Sequence, residues 1–166
     1  MSQPEVWLRG PVDGIPALLQ PVAHALLQAR EDVAGLVADL PADRLWRRPG
    51  GAASAGFHLQ HLAGVLDRML TYARGEPLSD AQFAHLHAEG VEDPALTPEA
   101  LFDAFAEGVD AALAQLRATD PATLPEWRGV GRDQLPSTVI GTLVHAAEHT
   151  QRHVGQLLVT VRVVNA

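Results

Sequence analysis

The sequence predicts an all-α fold, a four-helix bundle, on three observations. Four long segments carry apolar residues at helical spacing. The apolar stock is chiefly Leu, Ala and Val, and aromatic residues make up only 5% of the chain. A core of short aliphatic side chains suits packed helices better than strands, which favour aromatic and β-branched residues.

The first segment spans 15–40, where Ile15, Leu19, Val22, Leu26, Ala29, Val33, Leu36 and Leu40 recur in steps of four and three. Such a stripe buries one face of a helix in a bundle. Pro16 and Pro21 place its regular part near Pro21, and Pro41 ends it. After the loop Arg48-Pro49-Gly50-Gly51, Ser54 caps a second helix that runs to about Arg74 and stops at Gly75 and Pro77. Residues 79–90 form a short extra helix between Ser79 and Gly90. Thr97-Pro98-Glu99-Ala100 opens the third long helix, which carries Leu101, Phe105, Val109, Ala112 and Leu116 and ends by Pro121. Residues 120–136 read as a long loop holding Trp127 and Arg132. The fourth long helix runs from near Ser137 to about Val163, its apolar face made of Ile140, Leu143, Val144, Ala147, Val154, Leu158 and Val161. The β-branched tail Val159 to Val164 argues least for helix. Two of the connections are longer than in a minimal bundle.

The 166 residues are expected to form a single domain, 1–166. With 47% hydrophobic and 19% charged residues, the chain can build a sizeable core. Its net charge is −8, and all twelve basic residues are arginine. The absence of lysine excludes a lysine Schiff base and a phosphate-loop lysine. The acidic balance argues against nucleic acid as a partner. The absence of cysteine excludes disulfides, thiolate ligands and a cysteine nucleophile. The first ten residues carry Glu5 and Arg9 and lack the apolar run of a signal peptide, and no stretch reaches the roughly 20 apolar residues of a membrane span. A cytoplasmic protein without membrane contact is the expectation.

Five of the eight histidines fall in two windows, His58 and His61 in the second helix and His145, His149 and His153 in the last. Residues four apart lie one turn above each other on a helix, so neighbouring imidazoles there can share a metal ion with a ligand from a facing helix. His58 and His61 continue the stripe of Leu62, Val65, Leu66 and Met69 and so face the bundle. The row in the last helix lies roughly 100–180° from the centre of the apolar face, with His153 nearest. That position fits the edge of a groove, and fits a solvated face equally. His145-Ala-Ala-Glu148-His149 also matches the inverted zinc-protease pattern, but only 17 residues follow His149, too few for a further carboxylate ligand and a peptidase cleft. No serine sits in a nucleophile elbow. His24, His85 and His87 read as surface or connector residues. Trp7, Trp46 and Trp127 could line a pocket or plug the core.

Two stretches together resemble a known family. Gly56-Phe57-His58-Leu59-Gln60-His61-Leu62-Ala63-Gly64, followed by Asp67-Arg68 and Leu70-Thr71-Tyr72-Ala73-Arg74-Gly75-Glu76, is similar to the second helix of the DinB/YfiT-like superfamily. His145-Ala-Ala-Glu148-His149-Thr-Gln-Arg-His153-Val-Gly155-Gln156-Leu157 resembles its last-helix signature. The resemblance implies one divalent ion at one end of a four-helix bundle, nickel or zinc first and iron or manganese next. By position its ligands become His61, His149 and His153, with His58, His145 and Glu148 beside the ion rather than bound to it. It also implies a homodimer, a small-molecule substrate and a link to stress responses.

An ion held by three imidazoles keeps open positions, as catalytic sites do. Together with those open positions, the resemblance implies S-transfer first, with a low-molecular-weight thiol activated at the ion. Metal-dependent hydrolysis with Glu148 as base, and storage or sensing of a metal or small molecule without turnover, are the alternatives.

Overall fold

A computed structural model describes residues 3–166. Four long helices carry the architecture: α1 (Gln20–Ala38), α2 (Ala55–Ala73), α4 (Pro98–Ala118) and α5 (Val139–Asn165), with the short α3 (Asp80–Ala88) between α2 and α4. Each start has a local cause. A 3-10 turn, Ala17–Leu19, leads into α1, whose first turn holds Pro21. Ser54 Oγ accepts from Phe57 N–H at 3.1 Å and caps α2. Ser79 and Gln82 form a reciprocal capping box on α3. Thr97 Oγ1 accepts from Ala100 N–H at 3.2 Å at the head of α4, with Pro98 in its first turn. Thr138 caps α5 through Gly141 N–H at 3.0 Å, one residue beyond the start expected from sequence.

α1 and α2 each pack on both α4 and α5, so α1 sits diagonally from α2 and α4 from α5, and the connection 39–54 crosses the end of the bundle. One apolar cluster runs through all four, with Leu26 and Val33 of α1, Leu59, Leu62 and Leu66 of α2, Phe105 and Leu116 of α4, and Leu143 and Leu157 of α5 at its centre. No helix among the described residues is long and apolar enough to cross a membrane.

Two departures from the sequence reading, and one expectation that held against local propensity, have physical causes. The stretch read as a loop contains a hairpin, β1 (Trp127–Val130) antiparallel to β2 (Leu135–Thr138), with Val130 opposite Leu135 and Trp127 opposite Thr138. Its strands have four residues each and include Gly129 and Pro136, so no alternation announces them. Gly131 and Gln134 take the positive φ that closes the turn. Second, the β-branched tail stays helical to Asn165 because tertiary contacts hold it. Thr160 and Val161 are buried, Arg44 donates to the Val164 carbonyl at 3.0 Å, and Asn165 donates to the Asp39 carbonyl at 2.6 Å.

Third, the buried face of α5 is rotated from the expected one. Val144 is exposed, whereas Thr142, Thr150 and Thr160 are buried. A threonine carries a methyl group and can return its hydroxyl to its own helix, as Thr142 does to the Thr138 and Val139 carbonyls. At about 100° per residue, His153 lies about 50° and His149 about 90° from the centre of the observed face. Both histidines are therefore nearer the core than apolar counting placed them.

Thr150 is fully buried, and its hydroxyl has no hydrogen-bond partner among the described residues. Thr150→Val keeps the shape and removes the stranded hydroxyl, so it should stabilise the protein by about 1 kcal/mol. A urea unfolding midpoint that falls instead would show the hydroxyl to be satisfied in solution.

Candidate metal centre

α2 and α5 run antiparallel where they meet, since His58 pairs with His153 and His61 with His149. His61 Nε2 and His149 Nε2 are 2.9 Å apart, and His58 Nδ1 lies 3.1 Å from His153 Nδ1. One ligand-capable atom from each of His61, His149 and His153 falls within 4.8 Å of the others, and all three residues are half-buried. Each helix presents its pair through one turn, at spacings of three in α2 and four in α5. Phe57 stacks on the His61 ring with centroids 5.3 Å apart and planes 12° from parallel.

Behind His61 stands a polar cluster. His61 Nδ1 is 2.6 Å from Glu89 Oε2, and Arg68 donates to Glu89 Oε1 at 2.7 Å. The Arg68 and Glu89 side chains are only 7% and 4% exposed, which makes this a buried ion pair. His85 Nδ1 approaches the same carboxylate at 3.6 Å. Burial alone would push the Glu89 carboxyl up. The hydrogen bonds from His61 and Arg68, the nearby His85 ring and the Arg68 charge outweigh it and hold the group well below the usual carboxylate range.

The imidazoles are pushed the other way. Burial, followed by the nearby His61 ring, brings His58 down to about 4. Burial, followed by His61, His149, His58 and Arg152, brings His153 down to about 4. Burial first, and then His61, His145 and Arg152, lowers His149 against the opposing pull of Glu148. At neutral pH these rings are unprotonated, the form in which imidazole binds metal. The buried His149 Nδ1 has no hydrogen-bond partner among the described residues. Three convergent imidazoles, one backed by a carboxylate, are a donor set that fits a divalent transition-metal ion.

A sequence profile of the DinB superfamily matches residues 25–157, which takes in both histidine helices. The chain belongs to the DinB superfamily. Two solved structures share the fold of this DinB-superfamily chain. A conserved protein from Enterococcus faecalis superposes with a TM-score of 0.68 at 22% identity, over 88% of this chain and 96% of its own. A proposed DinB-family member from Exiguobacterium sibiricum superposes with a TM-score of 0.64 at 21% identity, over 94% and 95%. At such identity the likeness is one of fold. No curated protein shows significant sequence similarity to this DinB-superfamily member.

The remaining histidines and the tryptophans are dispersed. His145 is about half exposed, its ring 5.2 Å from that of His149 and its Nδ1 3.3 Å from Glu148. Glu148 is also about half exposed and accepts two hydrogen bonds from Arg152. His85 and His87 are exposed, and His24 bonds the Gly10 carbonyl at 3.0 Å. Trp46 packs against the core, whereas Trp7 and Trp127 are exposed and line two open clefts away from the histidines. A third groove, of about 590 Å³, reaches the cluster at His58 and is bordered by Ala52, Ala53, Arg152 and Gly155.

Sequence reasoning missed Glu89, which lies outside both histidine windows. The legible signal was indirect: Gly64 and Arg68 follow His61 by three and seven residues, hence on its face of α2.

Removing Arg68 would strand a buried carboxylate. Arg68→Ala should therefore cost about 3 kcal/mol of stability, read by urea unfolding of metal-free protein, and adding Glu89→Ala should recover part of it. A single-variant loss below about 1 kcal/mol would mean that His61 compensates the carboxylate by itself.

Proposed function

We propose that this DinB-superfamily protein holds one divalent ion through His61, His149 and His153 and uses it for thiol S-transfer to a small electrophile. The observation that carries the reading is the convergence of three imidazoles from α2 and α5, with burial holding those of His149 and His153 toward the neutral, metal-binding form. Nickel and zinc suit such a donor set first, with iron and manganese next. When bound, the ion would supply Lewis acidity, lowering the pKa of a coordinated thiol or water.

The chain's own residues would do the rest. Three protein ligands leave room for an exogenous one. The protein has no cysteine, so any thiol must come from outside. The groove at His58 adjoins the histidines and offers a place for the substrate, where Ala52, Ala53 and Gly155 present small groups and Arg152 a cation. His58, buried and neutral, stands where it can pass a proton to or from His153 Nδ1. Metal-dependent hydrolysis with Glu148 as base has less support, because that carboxylate is engaged by Arg152 at the surface. A homodimer belongs to the same reading by family resemblance.

The test is elemental analysis of untagged protein after exposure to nickel and zinc. About one ion per chain is expected in the wild type, lost in His61→Ala, His149→Ala and His153→Ala and retained in His145→Ala. Turnover of electrophiles with physiological thiols, dependent on that ion, would support S-transfer. A wild type that takes up no ion would overturn the metal site. Metal-loaded protein without thiol-dependent turnover would leave a binding or storage protein.

A further inference from the structure

α3 is an odd helix for a bundle, because it buries none of its residues. Polar contacts at both ends tie it to α2. At its start Gln82 donates to Asp67 Oδ2 and Thr71 Oγ1, each at 2.8 Å. Past its end Gly90 N–H donates to the Gln60 side-chain oxygen at 2.7 Å. Between these anchors, at the residue that ends the helix, sits Glu89, whose carboxylate is the one deeply buried group the segment delivers.

α2 is shaped to receive it. A Cβ at Gly64 would lie 2.5 Å from Glu89 Oε1, 2.6 Å from His85 Nδ1 and 2.7 Å from Arg68 Nη1. Glycine in a helix interior costs about 1 kcal/mol against alanine, so its place there calls for a packing reason, and the carboxylate supplies one. Arg68 is always charged and only donates, so the buried pair is balanced when Glu89 is ionised. An ionised carboxylate only accepts. The proton between Glu89 Oε2 and His61 Nδ1 therefore belongs to the imidazole, and His61 Nε2, 2.9 Å from His149 Nε2, is the nitrogen turned toward the other histidines.

We propose that Glu89, aimed by Arg68 and accommodated by Gly64, is the positioning residue of the metal centre, fixing His61 in the Nδ1–H tautomer with Nε2 directed at the ion. This rests on the metal-binding reading above and adds a residue from outside the histidine helices. The three imidazoles are then unequal: a carboxylate backs His61, the buried His58 backs His153, and nothing among the described residues backs His149 Nδ1.

Glu89→Gln is the discriminating variant because it is nearly isosteric. Arg68 can only donate, so it claims the amide oxygen and leaves the NH2 group facing His61 Nδ1. That arrangement favours the opposite, Nε2–H tautomer. The experiment combines histidine 15N NMR of metal-free protein with Ni(II) affinity measured by competition against a chromophoric chelator. The expected result is a wild-type His61 in the Nδ1–H form, a switch to Nε2–H in Glu89→Gln, and Ni(II) binding weakened by about 10–100-fold. Gly64→Ala keeps every polar group but crowds the carboxylate, and should weaken Ni(II) binding in the same direction by less. Ni(II) affinity within twofold of wild type in Glu89→Gln overturns the positioning role while leaving the three-histidine site standing. A wild-type His61 in the Nε2–H form overturns it as well. If wild-type protein binds no Ni(II), the metal reading itself fails and this role falls with it.

Discussion

The antiparallel packing of α2 against α5 is the contact on which the rest of the molecule depends. It puts the turn carrying His58 and His61 opposite the turn carrying His153 and His149, so that rings 95 and 88 residues apart in the chain come within hydrogen-bond distance. A rotation of either helix by one residue, about 100°, would carry one pair off the seam. The registry is set by apolar knobs on either side of the histidines. Leu59 and Leu62 of α2 and Leu157 of α5 are fully buried, and such packing tolerates little sliding because interiors are close-packed.

That registry forces polar groups into places where water cannot reach them freely. The protein handles them by two different routes. Imidazoles can shed their charge, and burial pushes His58 and His153 to the neutral side. An arginine cannot, so Arg68 is buried only beside Glu89, and the carboxylate's second oxygen is taken up by His61. The resulting chain of contacts, from Arg68 through Glu89 to His61 and on to His149, links a structural ion pair to the three-histidine cluster. A neutral acceptor in place of Glu89 would leave the guanidinium uncompensated, so the electrostatics of the fold and the chemistry of the cluster are the same problem.

The long helices were legible because their apolar residues recur with the helical period and because Ser54, Ser79, Thr97 and several prolines mark their starts. The histidines were legible as candidates because spacings of three and four select one helix face. The hairpin was not, since two four-residue strands interrupted by glycine and proline carry no period. The true face of α5 was not either. Hydropathy counts threonine as polar, whereas Thr142, Thr150 and Thr160 are buried, each carrying a methyl group besides its hydroxyl.

By itself, then, the sequence determined which segments coil, where they start and stop, and that His61, His149 and His153 are displayed on two helix faces. Those are local properties, written in periodicity and capping. Only the tertiary structure decided that the two faces meet, that His58 stands behind His153 while His145 remains at the surface, and that Glu89 from the otherwise coreless α3 enters the space left by Gly64. These outcomes depend on helix rotation, on the crossing connection between α1 and α2, and on the disposal of a buried guanidinium. Each is a relation between segments distant in the chain, and no local pattern encodes the angle or distance at which they come together.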